Sequence, residues 1–301
     1  MVNPPPVRDH DPLFDDAWLK FAWALKRSET LHAELGRIQD LQTKTGGSFE
    51  TIQKFDAKTK RFTVVVTSVD PFPAHCSLLL GEVLHGYRSA LDNAAWASVL
   101  RAARLGQKRG NKRARAAIAD AEAVKRIAFP APVFYSAKYP NARLRFARTK
   151  LPNNAPGCTR ADLAVMRWAQ RFDLVEASRA SLPFAILTEK NNLDKHKALQ
   201  PVLISNRGYF AQQVTCGNCE VKSVKAAPSG TALQVGTKLV TVRVGNIVGD
   251  PDIEVQGYLA SEPFITEKLA LIPFLNALRR FMVHVLSGFS DCPSDIAQRL
   301  E

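Results

Sequence analysis

An α+β fold, with long antiparallel helices in the N-terminal part followed by a C-terminal antiparallel β-sheet and a closing helix, is predicted by two observations. Apolar residues recur at helical spacing through most of the first 200 positions, and after Pro201 the pattern changes to short β-branched runs separated by Gly, Pro, Asn and Asp. A composition of 46% hydrophobic, 8% aromatic and 23% charged residues in 301 positions agrees with an ordinary globular chain. It excludes collagen-like, disordered and disulfide-framework classes.

The first helix is predicted from Phe14 to about Leu41, where Phe14, Trp18, Phe21 and Leu25 form one stripe that Ala24, Leu31, Leu35 and Ile38 continue. Gly46 and Gly47 break it, and Arg61 to Thr67, rich in Val and Thr, reads as a strand closed by Pro71 and Pro73. A second long helix spans about Ser77 to Ala103, with Leu80, Leu84, Tyr87, Leu91 and Ala95 on one face. These two helices are expected to pack together. The Ala-rich stretch Lys112 to Arg126 extends as helix until Pro130, and shorter helices are predicted over Asp162 to Phe172 and Leu182 to Leu193.

Six short strands are predicted next: Val202 to Ser205, Tyr209 to Val214, Glu220 to Val224, Ala232 to Val235, Leu239 to Val244 and Ile253 to Leu259. A last helix, Thr266 to Leu286, is expected to end at Gly288. The expected division is a mainly helical part, 1–200, with the basic segment 101–150, and a sheet with its closing helix, 201–301, either as separate domains or sharing one core. No internal repeat is present, which argues against a solenoid.

Charge is the most uneven property of the chain. It holds 41 Lys and Arg against 28 Asp and Glu, a formal net charge of +13. Fourteen of the basic residues and only two of the acidic ones fall between 101 and 150, so the other 251 residues are nearly neutral. A local positive field concentrates polyanions and releases their counterions, which makes RNA or DNA the natural partner. The candidate phosphate-binding residues are Lys108, Arg109, Lys112, Arg113 and Arg115, followed by Arg143, Arg145 and Arg148. In the second group Tyr135, Tyr139 and Phe146 alternate with cations, as in proteins that stack bases and neutralise phosphates together. The alternative is a solvated inter-helix loop that contains Gly106 and Gly110, in a protein whose partner is another protein.

A second constellation lies on the second helix. On a helical wheel His85, Arg88 and Asp92 share a polar stripe beside the apolar one, and Arg88 and Asp92 are spaced to pair. An imidazole, a guanidinium and a carboxylate together can bind an anion or exchange protons. A structural ion pair is the commoner use of such spacing. Asp194, Lys195 and His196 follow an apolar helix and form either a composite anion site with Arg88 or a helix end whose cations oppose the dipole.

The stretch Leu80 to Trp96, containing Arg88-Ser-Ala-Leu-Asp92, together with Phe129-Pro130 and Asn192-Leu-Asp-Lys-His-Lys197, resembles a family of proteins from actinobacteria and their phages that carries no assigned activity. The resemblance covers roughly residues 14 to 200 and implies neither cofactor nor substrate. The Arg-x4-His spacing of that family is in turn similar to the motif of HEPN-type helical domains, many of them metal-independent ribonucleases. Here Arg88 matches the arginine and Asn93 stands at the histidine position. A neutral amide is no general acid or base, so this resemblance implies a protein that binds or is catalytically impaired, the alternative being a HEPN-like metal-independent ribonuclease in which His85 substitutes on the same helix.

Several chemistries lose support. No phosphate-cradling Gly-rich loop, dinucleotide fingerprint, His-Glu-x-x-His or Gly-x-Ser-x-Gly occurs. Cys216-Gly-Asn-Cys219 reads as a turn between strands, and no second ligand pair completes a zinc set. No metal or other cofactor is therefore expected. Five cysteines are an odd, sparse set that suits a reducing compartment. The apolar run Leu269 to Phe289 is interrupted by Arg279 and Arg280, and the N-terminus lacks a secretory pattern, so a cytoplasmic protein with no membrane span is expected.

Overall fold

A computed structural model describes residues 6–45, 49–69, 73–105, 109–132, 146, 151–171, 182–196, 203–228, 234–249, 253–266, 269–294 and 296–297. The protein is α+β. A 3-10 turn, Pro12–Phe14, leads into α1 (Asp15–Thr45), β1 (Phe49–Asp56), β2 (Arg61–Val69) and α2 (Ala74–Arg104). Then come α3 (Arg109–Ala119), α4 (Ala121–Val124), α5 (Leu151–Asn154), α6 (Arg160–Ala169) and α7 (Pro183–His196). The later elements are β3 (Leu203–Cys216), β4 (Glu220–Ala226), β5 (Lys238–Gly245), β6 (Ile253–Thr266), β7 (Leu269–Ala270) and α8 (Leu271–Phe289).

The chain forms two compact units that interleave in sequence. One holds residues 1–31, 78–200 and 275–301; the other holds 32–77 and 201–274. A single boundary at 200/201, expected from the sequence, is thus only one of the crossings. The early hairpin joins the late strands, and most of the closing helix joins the helical unit.

In the helical unit α1 and α2 meet closely. Gly86 on α2 has no Cβ where one would lie 2.7 Å from the Ala24 Cβ of α1. That absence lets the two backbones approach. Around this point Phe21 stacks on Tyr87 with centroids 5.7 Å apart, and Arg27 Nε reaches Glu82 at 3.1 Å. Phe21, Ala24, Leu84 and Tyr87 are fully buried, as the sequence stripes predict. Asp11 starts the approach to α1 by accepting from the Leu13 amide at 3.1 Å, and Asp15 and Asp16 complement the helix dipole in the first turn.

In the other unit the strand order is β1-β2-β5-β4, every pair antiparallel, and a second sheet runs β3-β6-β7. Phe62 and Val64 of β2 join Val240, Val242 and Val244 of β5 and Ile253 of β6 in one buried cluster. Strand β1 was not expected, because Glu50-Thr-Ile-Gln-Lys54 lacks an apolar alternation. Its ladder with β2, from Phe49 opposite Val69 to Asp56 opposite Arg61, determines it instead. The turn is held by Asp56, whose carboxylate accepts from the Lys58 amide and the Thr59 hydroxyl. Two strands expected separately over 202–214 are one, β3, with irregular register at 206/208 and 211/213. The expected helix over 112–126 is likewise divided, because Asp120 caps α4 through the Glu122 and Ala123 amides. The closing helix runs through Gly288 to Phe289, past its expected end.

Two outcomes follow for the α1–α2 contact. Gly86→Ala is expected to destabilise the fold by about 1–3 kcal/mol in chemical denaturation, and Ala24→Gly added to it should recover part of that loss. Burial pushes the Tyr87 hydroxyl up to about 12. Its contribution to stability is therefore complete below about pH 10, where the unfolded chain begins to ionise, and is lost as pH rises toward 12. Tyr87→Phe should flatten that part of the stability–pH profile.

Candidate functional site

The basic window divides into cations used inside the fold and cations left outside. Arg101, on the last turn of α2, is internal. Its guanidinium contacts the Asp162 carboxylate, reaches Asp11 Oδ2 at 3.2 Å and donates to the Phe289 carbonyl at 3.0 Å. Its Cζ also lies 4.5 Å from the Phe14 ring centroid. Asp162 is fully buried at the start of α6, where Thr159 caps the helix by accepting from the Asp162 amide at 3.1 Å. Arg8 Nη1 completes the cluster at 2.8 Å from Asp162 Oδ1. Nearby, burial and the Asp162 carboxylate push the Cys158 thiol up, so it is not a poised nucleophile.

Helix α3 presents the external set. Ala114 and Ala117 recur on one face and pack with Val99 and Ala102 of α2 and with Ile127. Lys112, Arg113 and Arg115, away from or flanking that face, are exposed. No acidic residue lies within Arg109–Ala119, and among the described residues none of these three cations is in an ion pair. By contrast Lys125, in the same basic window, is paired with Glu122 at 2.7 Å. The inter-helix loop reading does not fit α3, which is an anchored helix. Lys108 and the Arg109 side chain lie outside the described residues, as do Arg143, Arg145 and Arg148. Phe146 is buried at 1% exposure, so the expected base-stacking role fails for this aromatic.

The polar stripe on α2 does not form one site. Arg88 and Asp92 turn inward and fasten the segment before α5. Arg88 Nη2 donates to Asp92 Oδ1 at 2.8 Å and to the Phe129 carbonyl, while the Phe129 amide donates to Asp92 Oδ1 at 2.9 Å. The pair thus satisfies both backbone groups of a buried residue. His85, one turn before Arg88, is exposed, and its Nε2 lies 3.4 Å from Ser89 Oγ. His85, Ser89 and Asn93 line a groove of about 1030 Å³ whose other wall is α1, with Leu19, Trp23 and Glu29. Asn93, at the position where the HEPN-like motif has histidine, therefore faces the groove while Arg88 does not. Asp194, Lys195 and His196 end α7, and their side chains lie outside the described residues.

Sequence reasoning missed a second pocket, of about 290 Å³, whose lining includes Trp168, Phe184, Arg280, Phe281 and His284. The rings are stacked: Trp168 on Phe281 at 6.0 Å and 12°, Phe184 on Phe281 at 5.5 Å and 17°, and Trp168 on His284 at 6.1 Å and 27°. Arg171, also in the lining, has φ 47°, a left-handed conformation rare for a side chain of its size. The available signal was Arg280 and His284, four residues apart on α8 and flanking Phe281.

Cys216 and Cys219 form a disulfide across the turn from β3 to β4. Among the described residues no group of three or more His, Cys, Asp or Glu is arranged to hold a metal, and no helix is long and apolar enough to cross a membrane. Comparison with protein-family models, with curated proteins and with solved structures finds no match.

If Arg88 and Asp92 act as a clamp, Arg88→Met and Asp92→Asn should each lower stability by about 1–3 kcal/mol. The double variant should cost clearly less than the sum of the two, as measured by urea denaturation.

Proposed function

We propose that the protein binds nucleic acid, RNA preferred, through the outward cations of α3 and the basic residues flanking it, without catalysis at Arg88. The observation that carries this reading is that Lys112, Arg113 and Arg115 stand exposed on a helix anchored by Ala114 and Ala117, with no ion pair among the described residues. A fixed array of unneutralised cations gains more from a phosphate backbone than mobile charges do, since less side-chain and backbone order is lost on binding. Two of the three Arg88 guanidinium nitrogens are engaged by Asp92 and the Phe129 carbonyl, and this fastening supports a structural use of Arg88 over a catalytic one.

A protein partner is the second reading, favoured by the α1–α2 groove, where Leu19 and Trp23 are 47% and 46% exposed. Salt dependence separates the two. Purified protein should bind labelled single-stranded RNA more tightly than duplex DNA, with log affinity falling steeply against log salt. Replacing Lys108, Arg109, Lys112, Arg113 and Arg115 by Gln should make that slope shallower by roughly two to four. No RNA or DNA binding at low salt would contradict the proposal and direct attention to the groove.

A further inference from the structure

We infer that the pocket between α6, the start of α7 and α8 is a nucleotide-binding site, holding one unpaired base against its aromatic rings with the phosphate on Arg280. This deepens the nucleic-acid reading by assigning the base-contacting part of the interface to residues well outside the basic window. The pocket itself does not depend on α3.

Three properties of the pocket support this occupant. First, it has both parts that recognition of an unpaired nucleotide needs. Trp168, Phe281 and His284, stacked on one another in a near-parallel series that ends at the exposed His284 ring, supply an aromatic lining on which a base can rest, and Arg280 supplies an exposed cation at the rim. An aliphatic ligand would need neither parallel rings nor a guanidinium. Second, its volume of about 290 Å³ is at the low end of ligand clefts, with room for a base and its sugar but not for a base pair. That size selects single-stranded over duplex nucleic acid. Third, the Arg280 guanidinium and the His284 imidazole are both exposed at the pocket, a set of polar groups suited to the ring nitrogens and carbonyl oxygens of a base. His284, exposed on the last turns of α8, offers a further ring nitrogen to the base edge.

The same chemistry is offered by a free mononucleotide and by a nucleotide within single-stranded RNA, and the experiment distinguishes them. Adenosine and uridine monophosphates, and oligoadenylate and oligouridylate, are titrated by isothermal calorimetry into the wild type and into Arg280→Gln, His284→Ala and Trp168→Phe. A further variant has Lys112, Arg113 and Arg115 replaced by Gln. Circular dichroism checks that each variant is folded. Arg280→Gln, at an exposed position, keeps the test valid if Trp168→Phe disturbs the fold.

The mononucleotides are expected to bind saturably at one site, with affinity reduced roughly tenfold or more by the pocket variants and unchanged by the α3 variant. Oligonucleotide binding is expected to fall in both sets. Mononucleotide binding that survives while the oligonucleotides fail to bind would identify a free-nucleotide site and contradict only the polymer reading. Oligonucleotide binding lost in the α3 variant but unchanged by Arg280→Gln and His284→Ala, with no mononucleotide binding, would overturn the pocket and leave the polymer reading standing.

Discussion

The helical unit depends on a single buried carboxylate. Asp162 has no access to solvent, and Arg8 and Arg101 approach it from distant parts of the sequence. A buried carboxylate without partners would be severely unfavourable, and removing one partner of such a pair costs about 3–5 kcal/mol. The consequence reaches beyond α6. Because Arg101 also holds Asp11, the Phe289 carbonyl and the Phe14 ring, it joins the approach to α1, the end of α2 and the end of α8. The Phe14 and Phe289 rings, 5.7 Å apart, fill the apolar side of the same junction.

This arrangement divides a run of basic residues into two sets. The first cation of the window neutralises an internal acid, whereas those one helix later have no acid within reach on their own helix. Both sets rest on the same anchoring. The end of α2 is fixed through Arg101, and Val99 and Ala102 on that end receive Ala114 and Ala117 of α3. Small residues at this contact pack α3 on α2, and its long cationic side chains remain exposed beside and beyond that face. The electrostatic field outside is thus built on the ion pairs inside.

Much of this was legible in the sequence. The 3.6-residue stripes of Phe14 to Leu35 and Leu80 to Ala95 identify the two long helices, because burial of one face leaves a periodic signal. Strand β1 was not legible, since an exposed edge strand is specified by the backbone groups of its neighbour, and those lie in another segment. The interleaving of the two units has the same origin, as the pairing of β2 with β5 joins residues near 61 to residues near 243. At the candidate site, the net charge of 101–150 located α3. It did not separate Arg101 from Lys112, because that distinction depends on Asp162, sixty-one positions downstream of Arg101. The pairing of Arg88 with Asp92 follows from i to i+4 spacing, but its target, Phe129, does not. The aromatic pocket was hidden because Trp168, Phe184 and Phe281 each look like ordinary core residues until three helices are brought together.

The central claim is that α3 faces a nucleic-acid backbone. Photocrosslinking of the protein to single-stranded RNA containing 4-thiouridine, followed by mass spectrometric mapping of the modified peptides, tests it most directly. Crosslinks are expected on peptides spanning residues 109–126 and on those containing Trp168 or Phe281, reduced by raised salt and by unlabelled RNA competitor. Crosslinks confined to strands β1 to β6, or a yield unaffected by competitor, would contradict it.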